Sequence, residues 1–150
     1  MIYEEPKCNL FTHHDITLTA FPLCCRQLSV QPTSLQKDQY QKGNYAVVGT
    51  FAQEIEIWNL DVLDAIEPAL ILGGIEINNK KGPKSYQQKQ KLKPGSHEDA
   101  VLCIDLHTSR KELFASGSAD NTVKIWDLEK AKCAMTYDMH TNKVRSCGMV

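Results

Sequence analysis

The stretch Leu113 to Leu128 reads LFASGSADNTVKIWDL. Leu113 to Ser118 is short and runs from apolar to small, as an inner strand of a sheet does. Ala119, Asp120 and Asn121 supply turn chemistry, because Asp and Asn side chains accept from nearby backbone N–H groups and tolerate a left-handed backbone. Thr122 to Asp127 then alternates: Val123 and Ile125 share one face, and Thr122, Lys124 and Trp126 the other. The sequence predicts strand, tight turn, strand.

Working outward, the second strand closes on Trp126-Asp127, and His97 stands about 29 residues upstream of that Trp. This combination resembles a blade of the WD-repeat β-propellers. The expected fold class is all-β: a WD-repeat β-propeller fragment of about two blades plus the start of a third. A propeller takes roughly 4–8 blades of about 40–45 residues. A chain of 150 residues holds about three at most, so it reads as the N-terminal part of a larger propeller. Residues 97–138 form the well-formed repeat. His140 opens the next blade over 140–150, with Val144 to Val150 as its first strand.

A second unit lies at 44–60, within a degenerate first blade of about 8–72. Placing Trp58 on Trp126 needs no gap. Ile57 then falls on Ile125, Ile55 on Val123, Thr50 on Ser118 and Gly49 on Gly117. The two Trp residues are 68 apart, longer than one blade by about the length of the segment between the units. Cys8 to Leu28 is strand-like, with Leu10, Phe11, Ile16, Leu18, Phe21, Leu23 and Leu28 as expected core. Asp61 to Leu72 reads as the outermost strand of the first blade and its approach.

In WD-repeat blades, residues matching His97, Ser116, Asp120 and Trp126 form a hydrogen-bonded set, which supplies the partners that a buried imidazole and indole require. The resemblance implies the same set here. Ser, His and Asp also suggest a hydrolase triad. A nucleophilic Ser needs exposure and an oxyanion hole, and this one lies inside a strand, so the expectation is structural. The first unit has Val48 where Ser116 stands, Ala52 for Asp120 and Asn59 for Asp127. With the polar members gone together, that blade is expected to rest on apolar packing.

The formal net charge is −1 and names no partner. Residues 78–95, NNKKGPKSYQQKQKLKPG, are low in complexity and carry Lys80, Lys81, Lys84, Lys89, Lys91 and Lys93. Such a composition buries too little to order itself. It is expected to be a mobile basic insertion that either contacts RNA phosphates or an acidic protein surface, or serves as a solvated spacer. Tyr86 is its one aromatic residue, so base-specific RNA readout is not expected. The six Cys are irregularly spaced. With a polar, acidic Met1 to Leu10, a reducing intracellular compartment fits, with the thiols as small packing groups. Cys8, His13, His14, Cys24 and Cys25 invite a zinc reading, but paired ligands at two-to-four spacing are lacking and adjacent strand side chains point apart. No apolar run reaches the length of a membrane span. No phosphate loop or placed carboxylate pair suggests catalysis, so no catalytic residue, cofactor, metal or small-molecule substrate is expected.

The run YEEPKCNLFTHHDITLTAFPLC, Tyr3 to Cys24, is not generic repeat sequence. With IEIWNLDVLDAIEPALILG (Ile55 to Gly73), the basic insertion after it, and SHEDAVLCIDLH before SADNTVKIWDL, it resembles the periodic tryptophan protein 1 family of nucleolar WD-repeat proteins. The chain departs from that family near Leu28, where a Trp is usual, and at Asn59, usually Asp. The resemblance implies a non-enzymatic interaction scaffold in ribosome biogenesis, acting in ribosomal RNA production or large-subunit maturation. It implies a nuclear, nucleolar location and protein partners in the nucleolus or pre-ribosome, with the basic loop as a candidate contact to the ribosomal RNA backbone. The residues alone support a propeller-type scaffold; the alternative is an adaptor in chromatin or ubiquitin-ligase assembly, against which the N-terminal run speaks, and an enzyme built on a propeller would lack any site residues here.

Overall fold

The computed structural model describes residues 15–30, 42–76 and 91–149. They form eight strands and no helix. These are β1 (Pro22–Val30), β2 (Lys42–Thr50), β3 (Glu54–Asn59), β4 (Leu70–Gly73), β5 (Val101–Leu106), β6 (Leu113–Ser118), β7 (Val123–Asp127) and β8 (Lys132–Tyr137). Two four-stranded sheets result, each antiparallel and ordered as in the sequence, β1-β2-β3-β4 and β5-β6-β7-β8. The fold is the expected one, a partial WD-repeat propeller.

The β6–β7 turn forms for the reasons its residues give. Asn121 takes a left-handed backbone, φ 67°, which Asn tolerates. The Asp120 carboxylate accepts from the Thr122 N–H at 2.9 Å, and the Ser118 N–H donates to the Thr122 carbonyl at 3.1 Å. At the far end of β7, Asp127 accepts from the N–H groups of Glu129 and Lys130 at 2.9 and 3.1 Å. In the first sheet Asn59 does the same for the Asp61 N–H at 2.9 Å, so the Asp-to-Asn change keeps the turn.

The two sheets repeat one another closely in their first strands as well. Cys24 lies opposite Gly49 and Cys103 opposite Gly117, each just after a register shift that marks a bulge. The Phe51 N–H donates to the Phe21 carbonyl at 3.1 Å, and the Ala119 N–H to the Ala100 carbonyl at 3.0 Å. Each glycine makes room for the next unit. A Cβ on Gly49 would stand 2.7 Å from Cys24 Sγ and 2.8 Å from Val101 Cγ1; one on Gly117 would stand 2.7 Å from Cys103 Sγ and 2.6 Å from Val144 Cγ1. Val101 thus seats on the first sheet as Val144 seats on the second. One apolar cluster runs through both sheets and includes Leu28, Val47, Ile57, Val101, Phe114 and Trp126.

Three expectations need correction. Phe21 is not core: it is 72 % exposed and lies against the equally open ring of Phe51, centroids 6.2 Å apart. At the start of a strand its side chain has no facing layer. Leu28 is buried, Ile16, Leu18 and Leu23 are half-buried, and Leu10 and Phe11 lie outside the described residues. Residues 143–149 do not form a strand. The Val144 N–H reaches the Ser118 carbonyl at 3.1 Å and the Met149 N–H the Asp105 carboxylate at 2.8 Å, but a ladder needs a partner strand and none pairs with them among the described residues. Val150 is outside that set. The basic insertion, expected to run to Gly95, is already tied down at Lys91. The Glu76 N–H donates to the Lys91 carbonyl at 2.8 Å and the Lys93 N–H to the Gly74 carbonyl at 2.9 Å, backbone bonds that composition does not reveal.

Gly49→Ala should destabilise the chain by about 1–3 kcal/mol, through the clash with Cys24 and Val101. Adding Val101→Ala should cost less on that background than on the wild type, since the two share one space. Thermal denaturation of the four proteins measures this; strictly additive losses would disprove the shared seat.

Candidate functional site

A binding scaffold works by holding its surfaces in place, so the groups that lock the blades are the first to consider. The structure brings His97, Ser116, Asp120 and Trp126 into one hydrogen-bonded chain. Trp126 Nε1–H donates to Ser116 Oγ at 2.8 Å. Ser116 Oγ lies 2.7 Å from His97 Nε2, and His97 Nδ1 lies 2.9 Å from Asp120 Oδ2. Trp126 and Asp120 are nearly buried, and His97 and Ser116 are wholly so.

The protons follow from that order. Ser116 Oγ accepts from the indole, so its own hydrogen is free to donate to His97 Nε2. The imidazole is then neutral, with its hydrogen on Nδ1 directed at Asp120. Burial holds the His97 pKa below its ordinary value and outweighs the opposing pull of Asp120. The contact is therefore a hydrogen bond from a neutral ring to a carboxylate. Burial alone would raise Asp120, but bonds from the Thr122 hydroxyl, the Glu98 and Thr122 N–H groups and His97 outweigh it, and its pKa is lowered to about 2. The Thr122 hydroxyl donates at 2.6 Å and the Glu98 N–H at 2.9 Å. The Ser–His–Asp order matches that of a hydrolase. Here Ser116 has no exposed surface and its oxygen already holds an indole N–H, so a substrate has no approach to it.

Ser96, which the sequence reading passed over, fastens the same loop to the first sheet. Its Oγ accepts from the Gly74 N–H at 2.8 Å and lies 3.2 Å from the Gln53 carbonyl. The loop before β5 is thereby joined to one blade through Ser96 and to the other through His97.

The first blade is not purely apolar, contrary to expectation. Glu56 is fully buried and accepts from Trp58 Nε1 at 2.8 Å. Its second oxygen accepts from the Thr19 hydroxyl. Val48 pairs with Glu56 as Ser116 pairs with Lys124. The acceptor has moved one strand over, from the β2 position to its β3 neighbour. A buried indole N–H requires an acceptor wherever the sequence can place one. The signal was present: Glu56 sits between two isoleucines, two residues before Trp58 and on its face of the strand.

Of the remaining candidates, Cys8, His13, His14, Lys80, Lys81, Lys84 and Lys89 lie outside the described residues. Lys91 and Lys93 are exposed at the tied end of the insertion. Cys24 is half-buried and Cys25 exposed, as neighbours in a strand should differ. Burial pushes the Cys24 thiol up to about 11. Among the described residues no three His, Cys, Asp or Glu side chains are grouped to hold a metal ion, and no helix is long and apolar enough to cross a membrane.

Asp120→Ala should cost about 1–3 kcal/mol by stranding buried donors. Glu56→Leu should cost a similar amount, about 1–3 kcal/mol, and adding Val48→Ser should restore part of it by supplying the hydroxyl that Ser116 supplies in the second blade. Acid should unfold the chain by a related route. The unfolded chain protonates His97 first as pH falls through 6.5, so that part of the stability is full above 6.5 and declines below. Asp120 acts in the same sense between 3.8 and about 2. Urea midpoints across this range give the measurement; a midpoint that rises on acidification through 6.5 would contradict the neutral imidazole.

A family model described as "WD domain, G-beta repeat" matches residues 87–127. Periodic tryptophan protein 1 of Saccharomyces cerevisiae is 41% identical over 139 residues, covering 89% of this chain and 24% of that protein. Its Drosophila melanogaster homolog is 32% identical over 145 residues, 97% of this chain and 28% of the homolog. An uncharacterized WD repeat-containing protein of Schizosaccharomyces pombe is 42% identical over 137 residues, 91% of this chain and 25% of that protein. The chain spans about a quarter of the length of these curated relatives. It is a WD-repeat chain related to periodic tryptophan protein 1.

Proposed function

We propose that the chain is the N-terminal part of a propeller that acts as a non-catalytic scaffold in nucleolar ribosome biogenesis, in ribosomal RNA production or large-subunit maturation. The first blade spans about 8–72 and the second 97–138, and 140–150 opens the next. The observation that carries this reading is the relation to periodic tryptophan protein 1 along 89% of the chain. It extends well beyond the 41 residues that a generic repeat would match, into the N-terminal run that marks the family. The locked loop supports the scaffold role, since a binding surface must hold its shape to discriminate between partners. Its partners are proteins of the nucleolus or pre-ribosome. The basic segment assists by neutralising RNA phosphates through Lys80, Lys81, Lys84, Lys89, Lys91 and Lys93, the last two at its tied end.

Affinity purification of the full-length protein with identification of what co-purifies tests the reading. Pre-ribosomal proteins are the expected partners; chromatin factors or ubiquitin-ligase subunits in their place would overturn it. Association with pre-ribosomes should weaken steeply with salt, with a log–log slope of up to about −0.7 per lysine engaged on single strands. Replacing the six lysines of the segment by Gln should flatten that slope and leave the melting temperature unchanged. An unchanged slope would assign the segment to a solvated spacer.

A further inference from the structure

The register of β5 on β6 sets Cys103 opposite Gly117 and Asp105 opposite Ala115, so these four share one face of the second sheet. Residues 144–149 lie over that face. Val144 seats on Gly117, Cys147 Sγ is 4.0 Å from the Ala115 carbonyl, and the Met149 N–H donates to Asp105. Cys103 points into the same space: its Sγ stands 2.7 Å from where a Cβ of Gly117 would be, and 3.8 Å from the Val144 carbonyl. The two thiols meet there and share a hydrogen bond. Cys103 is buried and Cys147 half-buried, so the pair is reached from the side of Cys147.

The seam between the two sheets is built alike but lacks the second thiol. Val101 seats on Gly49 beside Cys24 as Val144 seats on Gly117 beside Cys103. Three residues after each valine stand Ile104 and Cys147. Packing is met by an isoleucine at the first seam and does not call for a thiol at the second. The bond between the thiols also divides their chemistry. Cys103 accepts from Cys147, which lowers its pKa to about 7 against the opposing effect of burial, with Arg26 acting in the same direction as the bond. Cys147 keeps its proton, its pKa raised by that same bond and by burial. The thiolate is the form that peroxides oxidise.

We propose that Cys103 and Cys147 are a peroxide-responsive pair that closes to a disulfide and fastens 144–149 to the second blade. The Cys103 sulfur attacks one oxygen of hydrogen peroxide. The O–O bond breaks, leaving a sulfenic acid on Cys103 and a hydroxide that takes up a proton and departs as water. The Cys147 sulfur then attacks the sulfenic sulfur. The S–O bond breaks, the hydroxyl leaves with the Cys147 proton as a second water, and the S–S bond forms. Two thiols are oxidised by two electrons and one peroxide is reduced to two waters. Two glutathione thiols reverse the closure and leave as their own disulfide. The pair does not depend on the ribosomal reading, and the failure of either leaves the other intact.

The test treats the full-length protein with hydrogen peroxide at neutral pH, blocks the remaining thiols with iodoacetamide and maps disulfide-linked peptides by mass spectrometry. In the folded protein the Cys103–Cys147 link should exceed any other pairing of Cys103 by about tenfold, because the two sulfurs are already held together. The preference should vanish in urea, and reduced glutathione should reverse the link. This map needs no variant to fold. Cys147→Ser should stop at the sulfenic acid on Cys103, trapped by dimedone, and Cys103→Ala should leave Cys147 unreacted at the same dose. A link from Cys103 to Cys24 in place of Cys147 would overturn the proposal. So would Cys103 and Cys147 thiols that stay free while the exposed Cys25 is oxidised. Equal dimedone labelling of Cys103 and Cys147 in the two variants would overturn the assignment of Cys103 as the attacking thiol.

Discussion

Each sheet carries one tryptophan on its third strand, and each tryptophan brings an N–H into a space that water does not reach. That donor has to be accepted, and the two blades meet the demand differently. In the second, Ser116 accepts and passes the constraint on through His97 to Asp120, so the need of one indole fixes a loop, a turn and a strand together. In the first, Glu56 accepts directly, and among the described residues it draws in the stretch around Thr19. The difference is one of reach. A serine needs intermediaries to complete its bonding, and those intermediaries connect parts of the molecule. A carboxylate ends the chain where it stands.

The joint between the sheets depends on a different economy, that of space. Glycines on the second strands leave room for a valine from the following unit, with a thiol at one side. The apolar cluster continues through that joint without a break. Ser96 adds polar bonds at the upper end of the same seam, and Arg26 faces Asp105 across it at 3.6 Å, in water and therefore weakly. Packing carries the joint, and the polar contacts add to it.

Much of this was legible in the residues. Alternation in Thr122 to Trp126, turn chemistry at Ala119 to Asn121 and the repeat of Trp58 on Trp126 carried the sheets and their order. The chain from His97 to Trp126 came from likeness to a family, because spacing alone does not say which polar groups meet. What escaped was of two kinds. Glu56 is invisible to likeness with the family, because the family's acceptor stands on the second strand and this one stands on the third. Phe21 and residues 91–95 depart from expectation because exposure and backbone pairing depend on neighbours distant in sequence. An apolar side chain at a strand's beginning can have nothing over it, and a lysine-rich run can still close with backbone bonds.

Those backbone bonds have a consequence for how this region can change over time. The segment 77–90 leaves the first sheet at Glu76 and returns at Lys91, and these two residues are themselves hydrogen-bonded at 2.8 Å. The blades therefore see a closed gate whose two posts are fixed by Ile75 and Leu92. The distance between the segment's two ends is thus set by the described residues on either side of it. Closing a longer loop costs only about 0.6 kcal/mol for each doubling of its length. The same place offers a graft point, where a reporter domain with adjacent termini could be carried between two propeller blades without disturbing either.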